Sequence, residues 1–388
     1  MAKDKIEVAY DNGGKPLGQL IADNLESMSY TDVASGKSDS ISVTVADIER
    51  EWITYYMPTK GAEMAIKIVP KGWEKAKAFE CGTFVIDDIS FSGEPYTCSL
   101  GGVSIPANQD FKSNPVNKTW EKATLQEIAV KIAKAAGVQL YYEGDTIQIK
   151  EIEQNNETDS AFLYSLCEKY GMAMKVYNKK IVIFDPVKYE AKEVARVISE
   201  KEMLKWSYNT TVEGTYTGVT LKWNDADKKR TDPDRKVVVT MGEKGRMYSF
   251  NSQVTSRYDA ELQAAAKVNE ANRKAETMNI TVPGEYGIAA SQCVQITDLG
   301  KISGKYFVDS VKHSIGGSGY TTQLSLHKVQ KAIKVNVTQA EKTAEKKSSS
   351  KKKSSSKKTT EKKGESYSEK ALKLMEKKNT KGLKFVHD

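Results

Sequence analysis

The polar side chains best placed for catalysis in this sequence are Glu285, Asp298, Asp309 and His313. A histidine on a strand near carboxylates can act as a general base. The sequence contains none of the motifs of serine hydrolases, zinc proteases, P-loop proteins or dinucleotide-binding folds. A lone strand histidine more often serves as a structural hydrogen-bonding residue. The sequence therefore predicts no catalytic residue, no cofactor and no enzymatic activity.

Metal and thiol chemistry would depend on four cysteines and three histidines. The cysteines are far apart and form no C-x-x-C pair, so a structural zinc site is not predicted. Cys167 lies at an apolar helix position and Cys98 in a strand-like run, which favours buried free thiols, with two disulfides as the alternative. The acidic loop Asp225–Arg235 lacks the residue order of an EF-hand. No metal ligand is predicted.

Positive charge is concentrated at the C-terminal end of the chain. Residues 338–388 contain 16 Lys and 7 acidic residues, a net charge of +9, whereas the whole chain carries +8. The Lys/Ser-rich run 345–363 has no arginine and no aromatic residue that could stack on bases. We therefore expect a flexible spacer extended by like-charge repulsion. No specific nucleic acid is predicted, and binding of a polyanion through this tail is an alternative function.

The length of 388 residues and a hydrophobic content of 39% are typical of a soluble protein with two or three domains. No apolar run approaches the roughly 18 residues that a membrane span requires. The N-terminal residues lack the apolar core of a secretory signal. The sequence predicts synthesis in a cytoplasm and no membrane span.

The elements that would position any site are mostly strands. The segment Val282–Lys328 contains turn residues at Asp298–Lys301 and Gly316–Gly319. Because side chains on a strand repeat every two residues, alternate positions from Tyr320 to Leu326 share one face. The segment is predicted to be a short strand followed by a long antiparallel hairpin.

The N-terminal region is also predicted to be mainly β. Ile41, Val43 and Val45 alternate with small or polar residues, and further strands follow between Pro and Gly residues. The aromatic stretch Ile48–Met57 could suggest a ligand shelf. Aromatic residues at that density more often form a core or a subunit interface.

Between the two β-rich regions, a helix, a glycine and a hairpin occur twice in the same order. In the first copy the helix stops at Gly137, and residues 138–149 are predicted to form the hairpin. In the second copy the helix stops at Gly171, and residues 173–184 form the hairpin. Two copies are too few for a repeat array, so a small α/β module is predicted.

Four motifs follow one another along the chain: D-x-x-F-L-x-x-L-x-x-x-x-G, V-P-G, G-x-Y-x-V-x-x-V-x-H and G-Y-x-T. Their order and spacing resemble the phage late-control D family of contractile-tail baseplate hub proteins. They are also similar to the hub portion of type VI secretion spike proteins. The resemblance assigns structural roles to Asp159, Phe162, Leu163, Leu166, Gly171, Pro283, Gly284, Gly304, Tyr306, His313, Gly319, Tyr320 and Thr322.

The resemblance implies two similar β-barrel domains per subunit. A trimer would then present six quasi-equivalent surfaces and join a six-fold tail tube to a three-fold central spike. The implied partners are further copies of the chain, the tail tube protein, the central spike protein and other baseplate proteins, with the tape-measure protein as one candidate. The protein would be made in the host bacterial cytoplasm and incorporated into a virion tail or a released injection particle.

The last residues of the chain are apolar enough to suggest a docking peptide for another component of the assembly. A short helix and a final apolar cluster would present Leu372, Met375, Leu383, Phe385 and Val386. Helices this short are marginal alone, and a frayed end is the alternative. Recovery of fully assembled, active particles after deletion of residues 364–388 would contradict the docking hypothesis.

The predicted fold class is α+β and β-dominated. It comprises a first β-barrel-like hub domain (1–114), an α/β module (115–196), a second β-barrel-like hub domain (197–330) and a disordered basic tail (331–388). The predicted function is a structural baseplate hub of a contractile phage tail, tailocin or related injection particle. A cell-wall-degrading or wall-binding enzyme associated with the tail is the alternative of a different class.

Overall fold

Strands dominate the computed structural model, which describes residues 5–69, 78–104, 110–224, 236–284, 287–317 and 319–335. Within these residues the strands form one sheet of twelve strands and three smaller sheets. The β-dominated α+β class is therefore confirmed. No helix in the described part of the chain is long and apolar enough to cross a membrane.

Six N-terminal strands form one half of the large sheet, which we call the N-half-sheet. Its spatial order is β1-β4-β5-β6-β3-β2, with every pair antiparallel. Alternating apolar side chains from all six strands meet in one core, which the small helices also cover. The elements are β1 (Lys5–Tyr10), α1 (Gly18–Asp23), β2 (Leu25–Val33), β3 (Ser40–Ala46), α2 (Glu51–Thr54), β4 (Glu63–Val69), β5 (Phe79–Ser92) and β6 (Thr97–Val103).

The α/β module follows and has a separate core between its helices and strands. Strands β10, β11 and β8 form a three-stranded sheet, and β7 and β9 form a two-stranded ribbon. The elements are α3 (Asp110–Ser113), β7 (Pro115–Thr124), α4 (Leu125–Ala135), β8 (Gln139–Glu143), β9 (Gln148–Thr158), α5 (Asp159–Lys169), β10 (Ala173–Tyr177), β11 (Lys180–Phe184) and α6 (Pro186–Glu190).

The predicted hairpin at residues 138–149 is wrong, because its two strands do not pair with each other. The predicted hairpin at residues 173–184 is confirmed. Strand β8 pairs in parallel with β11, whereas β9 pairs with β7. The turn residues after β8 do not produce a hairpin, because β8 pairs instead with β11, whose Ile181 and Ile183 are buried in the module core. Strands β10 and β11 do form a hairpin, with positive φ at Asn178 and Lys179 as a tight two-residue turn requires.

The remaining strands build the second half of the large sheet, the C-half-sheet, and an insertion within it. The C-half-sheet has the order β12-β18-β19-β20-β17-β13 and its own core. The insertion is a three-stranded sheet covered by one helix. The elements are β12 (Val194–Ser199), β13 (Lys205–Thr210), β14 (Gly218–Asn224), β15 (Lys236–Gly242), β16 (Met247–Asn251), α7 (Arg257–Arg273), β17 (Glu276–Pro283), β18 (Cys293–Thr297), β19 (Gly304–Gly316) and β20 (Gly319–Lys328).

The two half-sheets have the same strand order relative to the chain. In each, the first of six strands pairs with the fourth, the fourth with the fifth, the fifth with the sixth, the sixth with the third and the third with the second. One pairing differs in direction, since β1 and β4 are antiparallel whereas β12 and β18 are parallel. Within the described residues neither half-sheet closes into a barrel, because its two outermost strands do not pair with each other.

The fifth strands, β5 and β19, correspond position by position. Each carries a glycine with positive φ near its start, Gly82 in β5 and Gly304 in β19. Each then contains a bulge after the same number of residues, with Asp87 or Asp309 as the extra residue opposite the sixth strand. The structure therefore holds two copies of one strand arrangement, and the corresponding positions in the two copies can be identified.

Candidate functional site

The candidate site is the contact at which the two half-sheets join, which we call the β2–β19 seam. Residues Ser310–Ile315 of β19 pair antiparallel with Met28–Val33 of β2. Just before this stretch, Ala34 N donates a hydrogen bond to Asp309 O at 2.8 Å. The first part of the same β19 edge, Gly304–Phe307, pairs with β18 instead. One strand edge thus serves its own half-sheet and then the other half-sheet.

The centre of the β2–β19 seam is aromatic. Tyr30 and His313 lie directly opposite each other, and their rings stack with centroids 5.8 Å apart. His313 Nδ1 lies 2.7 Å from the hydroxyl oxygen of Tyr320. Burial lowers the pKa of His313 to about 4, so the imidazole is neutral near pH 7. Its contacts are those of a packing residue in the seam.

The three described side chains among the four candidates for catalysis, Asp298, Asp309 and His313, do not converge. Asp309 Oδ1 lies 2.8 Å from Nδ1 of a different histidine, His327. Asp298 accepts a hydrogen bond from the Ser199 hydroxyl at the surface, and Glu285 lies outside the described residues. The four cysteines are buried and free, as predicted. In the described ranges no group of three His, Cys, Asp or Glu residues is arranged to hold a metal ion.

A buried ionic group ties three parts of the molecule to the seam. Asp32 of β2 accepts hydrogen bonds from Lys175 Nζ of the module at 2.5 Å and from Ala290 N, before β18, at 2.7 Å. Asp39 Oδ1 lies 3.7 Å from the same Lys175 nitrogen and accepts from Val33 N. Desolvation raises the pKa of the Asp39 carboxyl to about 7, and the like charge of Asp32 adds to this rise, whereas Lys175 opposes it.

A second polar group lies where the module, helix α7 and the C-half-sheet meet. Arg273 Nε donates to Glu190 Oε1 at 2.5 Å, and Glu190 Oε1 lies 3.5 Å from His327 Nε2. Burial opposes a charged imidazole, but hydrogen bonds to Asp309 and Glu190 outweigh it and raise the pKa of His327. Arg273, Asp309 and His327 line a cavity of about 280 Å³. Arg273 is paired with Glu190, and His327 is paired with Asp309 and Glu190. This arrangement fits a structural junction.

Sequence reasoning did not find these buried charges. Asp32, Asp39, Lys175, Glu190 and Arg273 come from separate parts of the chain. No local pattern distinguishes them from surface residues, because their partners are far away in sequence. A buried charge is tolerated only when it is paired, and only the fold supplies those partners.

The motif residues of the module lie along α5 and directly after it. Phe162, Leu163 and Leu166 are buried in the module core. Asp159 starts the helix and accepts a hydrogen bond from Gln154 Nε2 at 2.9 Å. Gly171 follows the helix in the left-handed conformation that favours glycine.

The motif residues of the C-half-sheet lie in its core or at its turns. Buried side chains are contributed by Tyr306, His313, Tyr320 and Thr322. A Cβ on Gly284, which follows Pro283 at the end of β17, would lie only 1.8 Å from Cδ1 of Tyr320. The φ angles of Gly304 and Gly319 are positive. The predicted docking residues Leu372, Met375, Leu383, Phe385 and Val386 lie outside the described residues.

Exposed apolar side chains are grouped near two places at the rim of the large sheet. One group surrounds helix α2 and the β5–β6 turn, in the aromatic stretch that the sequence assigns to a core or an interface. Only Trp52 of that stretch is deeply buried. The exposed members of the first group are Ile48, Ile53, Tyr55, Met57 and Tyr96, and those of the second, around β12 and β13, are Val194, Val197, Leu204, Trp206 and Val212.

Comparison with known proteins agrees with this architecture. The model of the YQBQ-like family matches residues 117–327, which include most of the module and nearly all of the C-half-sheet. The chain belongs to the YQBQ-like family. The match contains every motif residue from Asp159 to Thr322.

This YQBQ-like chain is also similar to proteins named as probable baseplate hub proteins. The protein from Escherichia phage P2 is 23% identical over 353 residues, which cover 79% of this chain and 89% of that protein. The protein from Escherichia phage 186 is 20% identical over 350 residues, covering 79% and 88%. The resemblance to contractile-tail hub proteins is therefore confirmed.

A solved structure shares the fold of this YQBQ-like chain. The 43 kDa tail protein of prophage MuSo2 from Shewanella oneidensis has a TM-score of 0.63 at 15% identity. The alignment covers 83% of this chain and 98% of that protein. At this level of identity, the comparison shows that the two chains share an architecture.

Proposed function

We propose that this protein is a structural baseplate hub of a contractile phage tail or a related injection particle. Three copies would form a ring between a six-fold tail tube and a three-fold central spike. The observation that carries the proposal is the repeated strand order of the two half-sheets. Three chains with two similar units each supply six similar surfaces on one side, and three whole subunits on the other.

The relatives support the same assignment. Two proteins that align with about four-fifths of this chain are named probable baseplate hub proteins. We propose by extension that the partners are other copies of the chain, the tube protein, the spike protein and further baseplate proteins. The terminal apolar cluster is proposed to dock one of these baseplate components. The protein would be incorporated into the tail after synthesis in the host cytoplasm.

A structural role fits the polar groups better than the enzymatic alternative does. Asp32 pairs with Lys175 and Glu190 pairs with Arg273 across the junctions, and His313 is packed between aromatic rings. The alternative of a wall-degrading enzyme predicts measurable release of soluble fragments from purified cell wall. We expect no such release by the full-length chain.

The decisive measurement is the mass of the full-length protein in solution and in assembled particles. Light scattering should give three times the chain mass, and electron microscopy should show three copies between tube and spike. A chain that stays monomeric, and that is absent from the centre of the baseplate, would overturn the proposal.

A further inference from the structure

The β2–β19 seam has an unfilled counterpart elsewhere on the same molecule. In the repeated arrangement, β2 and β13 are the second strands of their half-sheets, and β5 and β19 are the fifth strands. The seam joins the second strand of the N-half-sheet to the fifth strand of the C-half-sheet. The reciprocal contact, between the second strand of the C-half-sheet and the fifth strand of the N-half-sheet, would join β13 to β5.

Both edges needed for that reciprocal contact are open among the described residues. Strand β13 pairs with β17 on one side and ends the sheet on the other. On the edge of β5 that faces β4, pairing with that strand ends at Val85. Beyond Ile86, the stretch Asp87–Ser92 pairs with β6 and with no other strand of the described part of the chain. The open stretches of β13 and β5 contain six residues each, the length that is paired in the seam.

The hydrogen bonds leading into the open edge of β5 repeat those leading into the seam. In β19, Val308 exchanges backbone hydrogen bonds with the loop before β18, and the pairing with β2 begins directly afterwards. In β5, Ile86 exchanges the same two kinds of bond with the loop before β4. The next residue is Asp309 in β19 and Asp87 in β5, which is the bulge residue in both strands. Asp309 O accepts from Ala34 N, whereas the described residues provide no such donor for Asp87 O.

Side chains on β13 are exposed where their counterparts on β2 are buried. The strand pairings align Tyr208 with Tyr30 and Trp206 with Met28. Met28 is 2% exposed, whereas Trp206 is 38% exposed. Beyond the strand ends, Ala34 is 5% exposed and its counterpart Val212 is 75% exposed. Apolar side chains exposed at an open sheet edge are typical of a surface that pairs with another chain.

We infer that β13 of one copy pairs antiparallel with β5 of a second copy, in the register of the β2–β19 seam. This inference rests on the proposed ring and names the surface that closes it. The register places Ser207 opposite Ser92, Tyr208 opposite Phe91 and Thr210 opposite Ile89. Tyr208 and Phe91 are both half-buried in the single chain, and in the paired edge they take the places of Tyr30 and His313. N-half-sheets and C-half-sheets then alternate around one continuous ring. They are joined by the β2–β19 seam within a chain and by the β13–β5 contact between chains.

A second copy fits these edges because the chain already makes the same contact with itself. The contact is heterologous, since β13 and β5 are different surfaces, so successive copies add in one direction until the ring closes. With two half-sheets per copy, closure after three copies gives six junctions of one kind. A strand from another protein could also add to either edge, and the experiment separates that case.

The test is an engineered disulfide between copies of the full-length chain. The Ser29–Ser314 pair of the seam is a non-hydrogen-bonded pair, because it lies an odd number of positions from the bonded pair Ala34–Asp309. Cα atoms in such pairs are about 4.5 Å apart, within the range that a disulfide bridges. Its counterpart between copies is Ser207 opposite Ser92. The substitutions are therefore Ser92→Cys and Ser207→Cys.

A matched control shifts the register by two residues. Ser90→Cys with Ser207→Cys places the two Cα atoms on a diagonal of roughly 7–8 Å, which is too long for an unstrained disulfide. Under mild oxidation the matched pair should give about tenfold more covalent trimer on a non-reducing gel than the shifted pair. Two chains with one added cysteine each, Ser92→Cys and Ser207→Cys, should crosslink when they are co-expressed but not when each is expressed alone. The four native cysteines are buried and contribute little background.

The outcomes distinguish this contact from the ring itself. Covalent trimers from the matched pair alone support the contact. The β13–β5 contact is overturned if the protein is trimeric by light scattering but the matched pair gives no crosslink, or no more crosslink than the shifted pair. The hub proposal then still stands. If a different protein covers both edges in assembled particles and the matched pair gives no crosslink, the β13–β5 contact between copies is overturned in favour of that partner. A chain that is monomeric in solution and in particles overturns both proposals.

Discussion

His313 packs at the centre of the β2–β19 seam, and its surroundings decide its protonation state. Tyr30, Phe79 and Tyr320 supply aromatic contacts, and Asp32 is the nearest carboxylate to influence it. A histidine in an unfolded chain has a pKa near 6.5. Burial lowers the pKa of His313 to about 4 in the fold. A group with a depressed folded pKa stabilises the fold above its unfolded pKa, and this contribution is lost as the pH falls through the folded value.

We expect the variant His313→Phe to lose less stability on acidification than the natural chain. The phenyl ring can stack on Tyr30 but cannot bind a proton. Between pH 7 and pH 4 the free energy of unfolding should fall by up to about 3 kcal/mol more in the natural chain than in the variant. Urea unfolding at a series of pH values measures the difference.

His327 provides the control for that experiment, because its pKa is raised in the fold. Its contribution to stability is present below the unfolded pKa near 6.5 and is lost as the pH rises through the folded pKa. His327→Gln should therefore alter the pH dependence on the alkaline side and leave the acid side largely unchanged. An acid limb that is identical in the natural chain and in His313→Phe would show that His313 does not titrate as its burial requires.

At the scale of elements, two helices of the module end at a glycine in the left-handed conformation, but the two glycines have different surroundings. Gly137 after α4 has φ +69, and a Cβ there would meet nothing within 4 Å. Gly171 after α5 has φ +71, and a Cβ there would lie 3.0 Å from the Cβ and 3.2 Å from the Cα of Ala266 in α7. The second glycine thus serves both the end of a helix and the packing of α7 on the module.

We expect Gly171→Ala to destabilise the protein more than Gly137→Ala. Each substitution forces an alanine into the left-handed region, which costs about 1–2 kcal/mol. At Gly171 the crowding against α7 should add roughly 1–3 kcal/mol. Denaturant unfolding of the two variants measures the difference directly. Equal losses would mean that α7 moves freely away from the end of α5, in conflict with the close packing between them.

At the scale of the whole molecule, the proposed ring would cover the edge of β13 that is open among the described residues. The direction of the backbone N–H groups alternates along a strand, so the N–H of Thr210 in β13 points away from β17. Its counterpart, the N–H of Asp32 in β2, points towards β19. Proline lacks this donor and is tolerated on an outer strand edge. Thr210→Pro thus removes a backbone bond between copies and spares the backbone bonds within the chain.

We expect Thr210→Pro to reduce the trimeric fraction by about tenfold or more, since each 1.4 kcal/mol of lost association energy changes the binding constant tenfold. Thr210→Val keeps the N–H and should assemble like the natural chain. Light scattering across a dilution series measures the trimeric fraction, and circular dichroism reports whether the fold is retained. Unchanged assembly of a folded Thr210→Pro variant would place the interface elsewhere.

Local patterns determined much of the architecture. Alternation in Val282–Lys328 and a turn at Gly316–Gly319 predict the β19–β20 hairpin, because both features depend on neighbours in sequence. Helix-stopping glycines at Gly137 and Gly171 likewise mark the ends of α4 and α5. The order of these motifs also led to the family of contractile-tail hubs.

Only the tertiary structure decided which strands meet. The partner of β8 is β11 rather than its neighbour β9. Strand β2 pairs with β19, although most of the chain lies between them in sequence. Backbone hydrogen bonds carry no side-chain identity, so a strand in the sequence does not specify its partner. The repeated strand order and the buried pairs around Asp32 and Glu190 could not be predicted for the same reason. Each depends on contacts between residues that are distant along the chain.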